Sequence, residues 1–190
     1  MATRVLVANA EKSYHNQLIE ILKRSSYLVV AEQTEAKGAL QAALKIDPDV
    51  IIIDDNLPGG SLSLARDIYD HHLAPVLIAT SYSEEDMIEI AKAAGVFGMI
   101  LKPIHETGVL PVIETAISTF SNIRLFESEI KRLKQEIEQR KLVERAKGLL
   151  MDKKGVSEGE AFRYLQKVSM DKCVPITKVA KNVIARLQAK

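Results

Sequence analysis

Residues 50–53 read Val-Ile-Ile-Ile, an unbroken β-branched run followed at once by Asp54 and Asp55. A strand with one wet face alternates polar and apolar residues, so a continuous apolar run marks a strand covered on both faces, as in the middle of a parallel sheet. This segment constrains everything around it. Parallel strands cannot be joined by tight turns and need crossover helices, so the flanking sequence must alternate short apolar runs with longer amphipathic stretches. Further apolar runs fall at residues 4–7, 28–31, 75–79 and 99–101. Helical patterns lie near 14–25, 35–46, 61–72 and 84–94, with a fifth beginning near Glu106. Five β/α repeats predict an α/β fold with a doubly wound five-stranded parallel sheet, whose functional site lies at the carboxyl ends of the strands.

The fifth helix runs past the point where a compact domain would end it. From Ile123 the apolar positions continue as Phe126, Ile130, Leu133 and Ile137, at spacings of three and four with charged residues at most other sites. Such a seam predicts a coiled coil and a parallel homodimer; an amphipathic helix folded back on its own domain is the competing arrangement. The expected organisation is one domain over residues 1–120, a coiled-coil linker helix over 121–139 and a small three-helix domain over 140–190.

Charge follows the same division. The chain has a formal net charge of +1, but residues 1–139 carry net −7 and residues 140–190 net +8. The basic part is the candidate partner of a polyanion such as nucleic acid. Its first helix passes through Arg145-Ala146-Lys147-Gly148-Leu149-Leu150-Met151 and breaks at Gly155. Its second opens with Ser157-Glu158-Gly159-Glu160, a capping box in which hydroxyl and carboxylate satisfy each other's backbone donors. Ala161, Phe162, Leu165 and Val168 are expected to point inward, as are Leu149, Leu150 and Met151, while small Ala146 and Gly148 let helices approach closely. A third helix starts near Pro175 and buries Ile176, Val179, Ala180, Val183, Ile184 and Leu187.

At the predicted strand ends stand Asn9 and Ala10, Asp54, Thr80, and Lys102 followed by Pro103. The constellation resembles the flavodoxin-like receiver domain of two-component response regulators over residues 3 to 120. The resemblance implies that Asp54, four residues before Pro58, is the phosphoacceptor candidate. It also implies that Thr80 and Lys102 contact the phosphoryl group, and that an acidic pair after the first strand helps to hold Mg²⁺. Here that pair reads Asn9-Ala10, with Glu11 one position further, and Met99 replaces a frequent switching aromatic. Hard divalent cations need several anionic oxygens, so the reading is a degenerate receiver that holds no metal. Phosphorylation with Mg²⁺ at Asp54, flanked by Asp55, is the alternative. Control would then come from constitutive dimerisation, from a receiver-binding regulatory protein or, if the site is active, from a sensor kinase.

The segment Arg145 to Met151, with Ser157 to Ala161, Leu165, Ser169-Met170 and Val179-Ala180, resembles the ANTAR domain over residues 136–187. That family occurs in regulators of amidase, nitrate-assimilation and ethanolamine-utilisation operons. It implies binding of tandem stem-loops in a nascent leader RNA, which prevents a terminator hairpin and so causes transcription antitermination. Candidate RNA contacts are the polar residues Arg145, Lys147, Lys153, Lys154, Arg163, Lys167, Lys178 and Lys181, with Tyr164 able to stack on an unpaired base.

Two other classes compete. A DNA-binding response regulator would use a helix-turn-helix, but the connection Ser169 to Val174 exceeds the three to four residues of that turn. A protein-interaction module would leave the +8 charge without a partner. An enzyme is not expected, because His15, His71, His72 and His105 pair with no Cys or Ser nucleophile, and the single Cys173 allows no zinc spacing. His71-His72 reads as a helix carboxyl cap. The lone cysteine, the amino terminus MATRVLVANAEKS and the lack of a run of about 20 apolar residues point to a cytoplasmic protein with no membrane partner.

Overall fold

In the computed structural model, which describes residues 2–81, Lys92 and 95–188, the chain forms two compact units, Met1–Arg124 and Leu125–Lys190. The expected helix near 84–94 lies outside the described residues. In the first unit β1 (Arg4–Ala8), β2 (Leu28–Gln33), β3 (Val50–Asp54), β4 (Val76–Thr80) and β5 (Val96–Leu101) alternate with α1 (Lys12–Arg24), α2 (Ala36–Ile46) and α3 (Ser61–Asp70). The helix α4 spans Glu106–Lys154. All strand pairs are parallel, in the order β2-β1-β3-β4-β5. The doubly wound five-stranded sheet is therefore as the sequence predicts.

The pleat sorts each strand's side chains between two cores. Val5, Val7, Val50, Ile52, Leu77 and Ile100 pack with Leu18 and Leu22 of α1 and Val109, Ile113 and Ala116 of α4. Leu6, Ala8, Ile51, Ile53, Val76 and Ile78 pack with Ala39 and Ala43 of α2 and Leu64, Ala65 and Ile68 of α3. Every residue of β3 is buried, which is why the β-branched run needs no polar member. At ~1.5–3 kcal/mol for each fully buried aliphatic side chain, these two layers are the main source of the unit's stability. The order in which strands are added reverses between β1 and β3, so the loops after these strands diverge and leave a crevice at their carboxyl ends.

β5 starts at Val96, three residues before the apolar run that the sequence suggests. Gly98 explains the difference. A Cβ on it would meet Val112 Cγ1 at 2.8 Å and Leu77 Cδ2 at 3.0 Å, so this glycine is a site of close approach rather than a strand breaker.

The second unit is built on Ala146 and Leu150 of α4, Ala161 and Leu165 of α5 (Glu158–Asp171), and Val179, Ala180 and Val183 of α6 (Ile176–Gln188). α4 ends just before Gly155, and α5 opens with the full capping box. The Ser157 N–H donates to Glu160 Oε2 at 2.9 Å, and the Glu160 N–H donates to Ser157 Oγ at 3.4 Å. Three inward assignments are corrected. Phe162 is 43% exposed and Met151 38% exposed, because a unit this small has room behind one stripe per helix. Gly148 has nothing within 4 Å of a Cβ position, so no close helix packing requires it.

Two glycine substitutions separate these roles. Gly95 has φ +88° and its Cβ would lie 2.5 Å from the Ala65 carbonyl oxygen, so Gly95→Ala is expected to cost about 3 kcal/mol from backbone strain and clash. Gly148→Ala should instead stabilise the second unit by about 0.5–1 kcal/mol, the helix-propensity difference. Urea denaturation of the full chain, followed by far-ultraviolet circular dichroism, measures both.

Candidate functional site

The crevice at the sheet's carboxyl edge gathers three buried charges. Asp54 ends β3 and Lys102 follows β5; Lys102 Nζ lies 2.6 Å from Asp54 Oδ2 and 3.3 Å from Asp55 Oδ1. All three side chains are at most 3% exposed. The backbone holds them in place. The Asn56 N–H donates to Asp54 Oδ1 at 3.0 Å, the Asp55 N–H to the Ala79 carbonyl at 3.0 Å and the Lys102 N–H to the Thr80 carbonyl at 2.8 Å. Thr80 is wholly buried. The ammonium of Lys102 also sits 5.1 Å from the centre of the Tyr14 ring on α1, within cation–π range.

One ammonium faces two carboxylates, and the three groups titrate together. Burial raises Asp54 above its ordinary value, against the pull of Lys102. Burial also works to raise Asp55, but the Thr80 hydroxyl, Lys102 and Asp54 outweigh it and hold Asp55 below its ordinary value. Burial would lower Lys102, yet the hydrogen bond and charge of Asp54, then those of Asp55, raise it.

The residues after β1 contribute little charge. Asn9 is buried and its Oδ1 already accepts the Glu11 N–H at 2.6 Å. Ala10 and Glu11 are exposed. A magnesium ion here would find one neutral amide oxygen, already bonded to the Glu11 N–H, and two carboxylates turned to Lys102, whose ammonium it would have to displace. Sequence reasoning placed Asp55 in this site but missed its pairing with Lys102 and the contact with Tyr14; the adjacent acidic pair in a buried strand end was the available signal. Elsewhere in the unit His71 Nδ1 lies 2.7 Å from the Asp67 carbonyl oxygen at the end of α3, where the sequence places a cap.

On the second unit Arg145, Lys153, Lys154, Arg163, Lys167, Lys178 and Lys181 are all exposed, and Tyr164 is 51% exposed. Lys147 stands apart. It is 8% exposed, its Nζ lies 2.8 Å from Glu144 Oε1 and 2.7 Å from Glu158 Oε1, and it sits 6.0 Å from the Phe162 ring centre. The hydrogen bonds from Glu144 and then Glu158 raise its pKa. Its geometry is that of a clasp between α4 and α5. Three further residues, Lys172, Asn182 and Arg186, line a cavity with Lys154 and Tyr164; the basic pair was visible in the sequence only as part of the tail's overall charge.

On α4 the predicted seam is half-buried at Ile123 and open at Phe126 (68%), Ile130 (51%), Leu133 (45%) and Ile137 (53%). Intrahelical pairs such as Glu129–Arg132 at 2.6 Å and Glu138–Lys141 at 2.9 Å occupy flanking positions. Among the described residues no helix is long and apolar enough to cross a membrane.

Removing one partner of a buried charge pair costs about 3–5 kcal/mol, so Lys102→Met should destabilise the first unit by that amount, and adding Asp54→Asn should recover part of it. Asp54→Asn alone removes the titration of that carboxyl. A carboxyl whose folded pKa is raised loses stability as pH climbs from its ordinary value of 3.8 through the raised one. The melting temperature of the variant relative to the parent should therefore rise as pH climbs from about 4 to 7. Scanning calorimetry across that range would contradict this if the parent gained on the variant as pH rose.

Comparison with known proteins agrees with this layout. Residues 5–114 match the response regulator receiver domain model and residues 131–184 the ANTAR domain model. The transcriptional regulatory protein PdtaR of Mycobacterium tuberculosis is 35% identical, the match covering 97% of this chain and 90% of that protein. The aliphatic amidase regulator of Pseudomonas aeruginosa is 30% identical over 46% of this chain and 44% of its own length. Among solved structures, the signal receiver domain of a modulated diguanylate cyclase from Desulfovibrio desulfuricans G20 superposes with a TM-score of 0.59 at 22% identity, over 64% of this chain and 98% of that one. That similarity concerns the receiver fold. Receiver and helical unit together, in this order, place the chain in the family of ANTAR response regulators, which are regulatory proteins rather than enzymes.

Proposed function

We propose that this protein is a transcription antiterminator that binds tandem stem-loops of a nascent leader RNA through its basic helical unit, as a homodimer joined along α4. The observation that carries the reading is the exposure, in one small unit, of seven of the eight predicted cationic contacts together with the half-exposed Tyr164. RNA loops offer phosphates to cations and unstacked bases to rings, and duplex DNA offers only the first without distortion. The open ladder Phe126, Ile130, Leu133 and Ile137 has the three-and-four spacing by which two helices pair. Two copies would hold two adjacent stem-loops, and tethering raises the effective concentration for the second contact.

The receiver, in this reading, is controlled by a protein partner or dimerises constitutively. Its acceptor-position carboxylate is paired with Lys102, and the two positions directly after β1, Asn9 and Ala10, bring no anionic oxygen to a phosphoryl transfer.

Binding of the purified chain, at one fixed salt concentration, to tandem stem-loop RNA and to duplex DNA of the same sequence tests the central reading. Tight binding to the RNA, abolished by changing the loop bases, is the expected result; equal binding to DNA would sink it. Replacing Ile130 and Leu133 together with lysine should yield a monomer by sedimentation and weaken tandem-RNA binding by about 100-fold or more. Unchanged affinity in a proven monomer would refute the tethering step. A small phosphodonor with Mg²⁺ should leave no acid-labile phosphoryl group on the chain; one that disappears in Asp54→Ala would restore phosphorylation as the receiver's switch.

A further inference from the structure

The second unit contains a cavity of about 280 Å³ walled by all three of its helices. It sits at the small end of ligand pockets, which run to about 300–1,000 Å³, and so has room for a ring but not for a whole nucleotide cofactor. Leu150, Val168 and Val183 supply apolar wall. At the rim stand Lys154 from α4, Tyr164 from α5, Lys172 at the C-cap of α5, and Asn182 and Arg186 from α6. Helical spacing explains the convergence: 164 and 168 are successive positions on one face of α5, which the C-cap residue Lys172 continues, as 182 and 186 are on α6. Among the described residues no acidic side chain lines the cavity.

We propose that this cavity receives a single unpaired base of the RNA loop, stacked on Tyr164 and hydrogen-bonded at its edge by the Asn182 amide, with Lys154, Lys172 and Arg186 meeting the flanking phosphates. The proposal rests on the RNA-binding reading above and names the residues that read the loop. Its support is the combination of chemistries. A cavity with mixed aliphatic and polar lining, an aromatic ring and one amide suits a nucleobase, and a set of cations without acids suits the phosphates on either side. An inorganic anion would use the cations but not the Tyr164 ring. An acidic peptide would likewise satisfy the cations but brings no flat ring to the slot.

The test uses the full chain and a tandem-hairpin RNA recovered by it from a pool with randomised loops. 2-Aminopurine is then placed at each loop position in turn. At one position its emission should be quenched on binding to the parent chain, and that quenching should vanish in Tyr164→Ala while Tyr164→Phe keeps it. Affinity should fall about tenfold in Tyr164→Ala, the usual size of a lost base–aromatic stack. It should fall similarly in Asn182→Trp, which plugs the slot from an exposed position. Lys172→Gln and Arg186→Gln should each lower the salt dependence by about 0.7 in log–log slope. If RNA is recovered but Tyr164→Ala and Asn182→Trp bind it as the parent does, the cavity proposal falls and RNA binding stands. Equal losses in Tyr164→Phe and Tyr164→Ala would overturn stacking, and recovery of no RNA would overturn both readings.

Discussion

A strand buried on both faces cannot carry a charge along its length, so polar groups collect where it ends, and each must be answered by another. β3 imposes this on the whole receiver. Its five residues are buried, and its end delivers Asp54, with Asp55 directly after it, into a crevice that the reversal between β1 and β3 opens. One ammonium, Lys102, reaches across from the end of β5 to both. The position of Lys102 is set in turn by its N–H bond to the Thr80 carbonyl at the end of β4 and by the Tyr14 face on α1. Three strand ends and one helix are thereby tied to the same small group of charges.

That group also bears on what the receiver has become. The family pattern spreads negative charge between the ends of β1 and β3, and here β1 contributes a neutral amide whose oxygen is already bonded to the Glu11 N–H. Asp55 adds a second carboxylate on the β3 side, so the negative charge is present but faces a lysine. Attraction between fixed opposite charges in a buried setting competes with any cation from solution.

The receiver was legible because its signals are strong and local. β-branched runs, crossover lengths and strand-end residues each point to one architecture, and their agreement mattered more than any single one. The start of β5 is less legible, since a sequence does not reveal whether Gly98 bends a strand or makes room for Val112. The second unit was read less well at its margins. Periodicity says that Phe162 and Met151 share a face with buried residues, but a core of seven small and medium side chains is too narrow to cover the edge of each stripe. Lys147 shows the reverse error. A lysine on a basic helix reads as solvated, and only the fold brings Glu158 of α5 beside it. Pairings between elements distant in sequence are what a linear pattern cannot supply.

Within the second unit, α4 carries two apolar stripes with different fates. At about 100° per residue, Phe126, Ile130, Leu133 and Ile137 fall along one side of the helix, whereas Val143, Ala146 and Leu150 fall on a second side about 140° round the axis. The second stripe is covered by α5 and α6. The first remains open to solvent, which is costly for four large side chains unless something covers them. Had the two stripes coincided, the unit's own core would account for both, and the helix would have no reason to remain apolar before Val143. Their separation by about 140° means that folding of the small unit and pairing along α4 make largely independent demands on one helix. The register of each is set by its own three-and-four spacing, so a substitution at Ile130 acts on pairing and one at Leu150 on the fold.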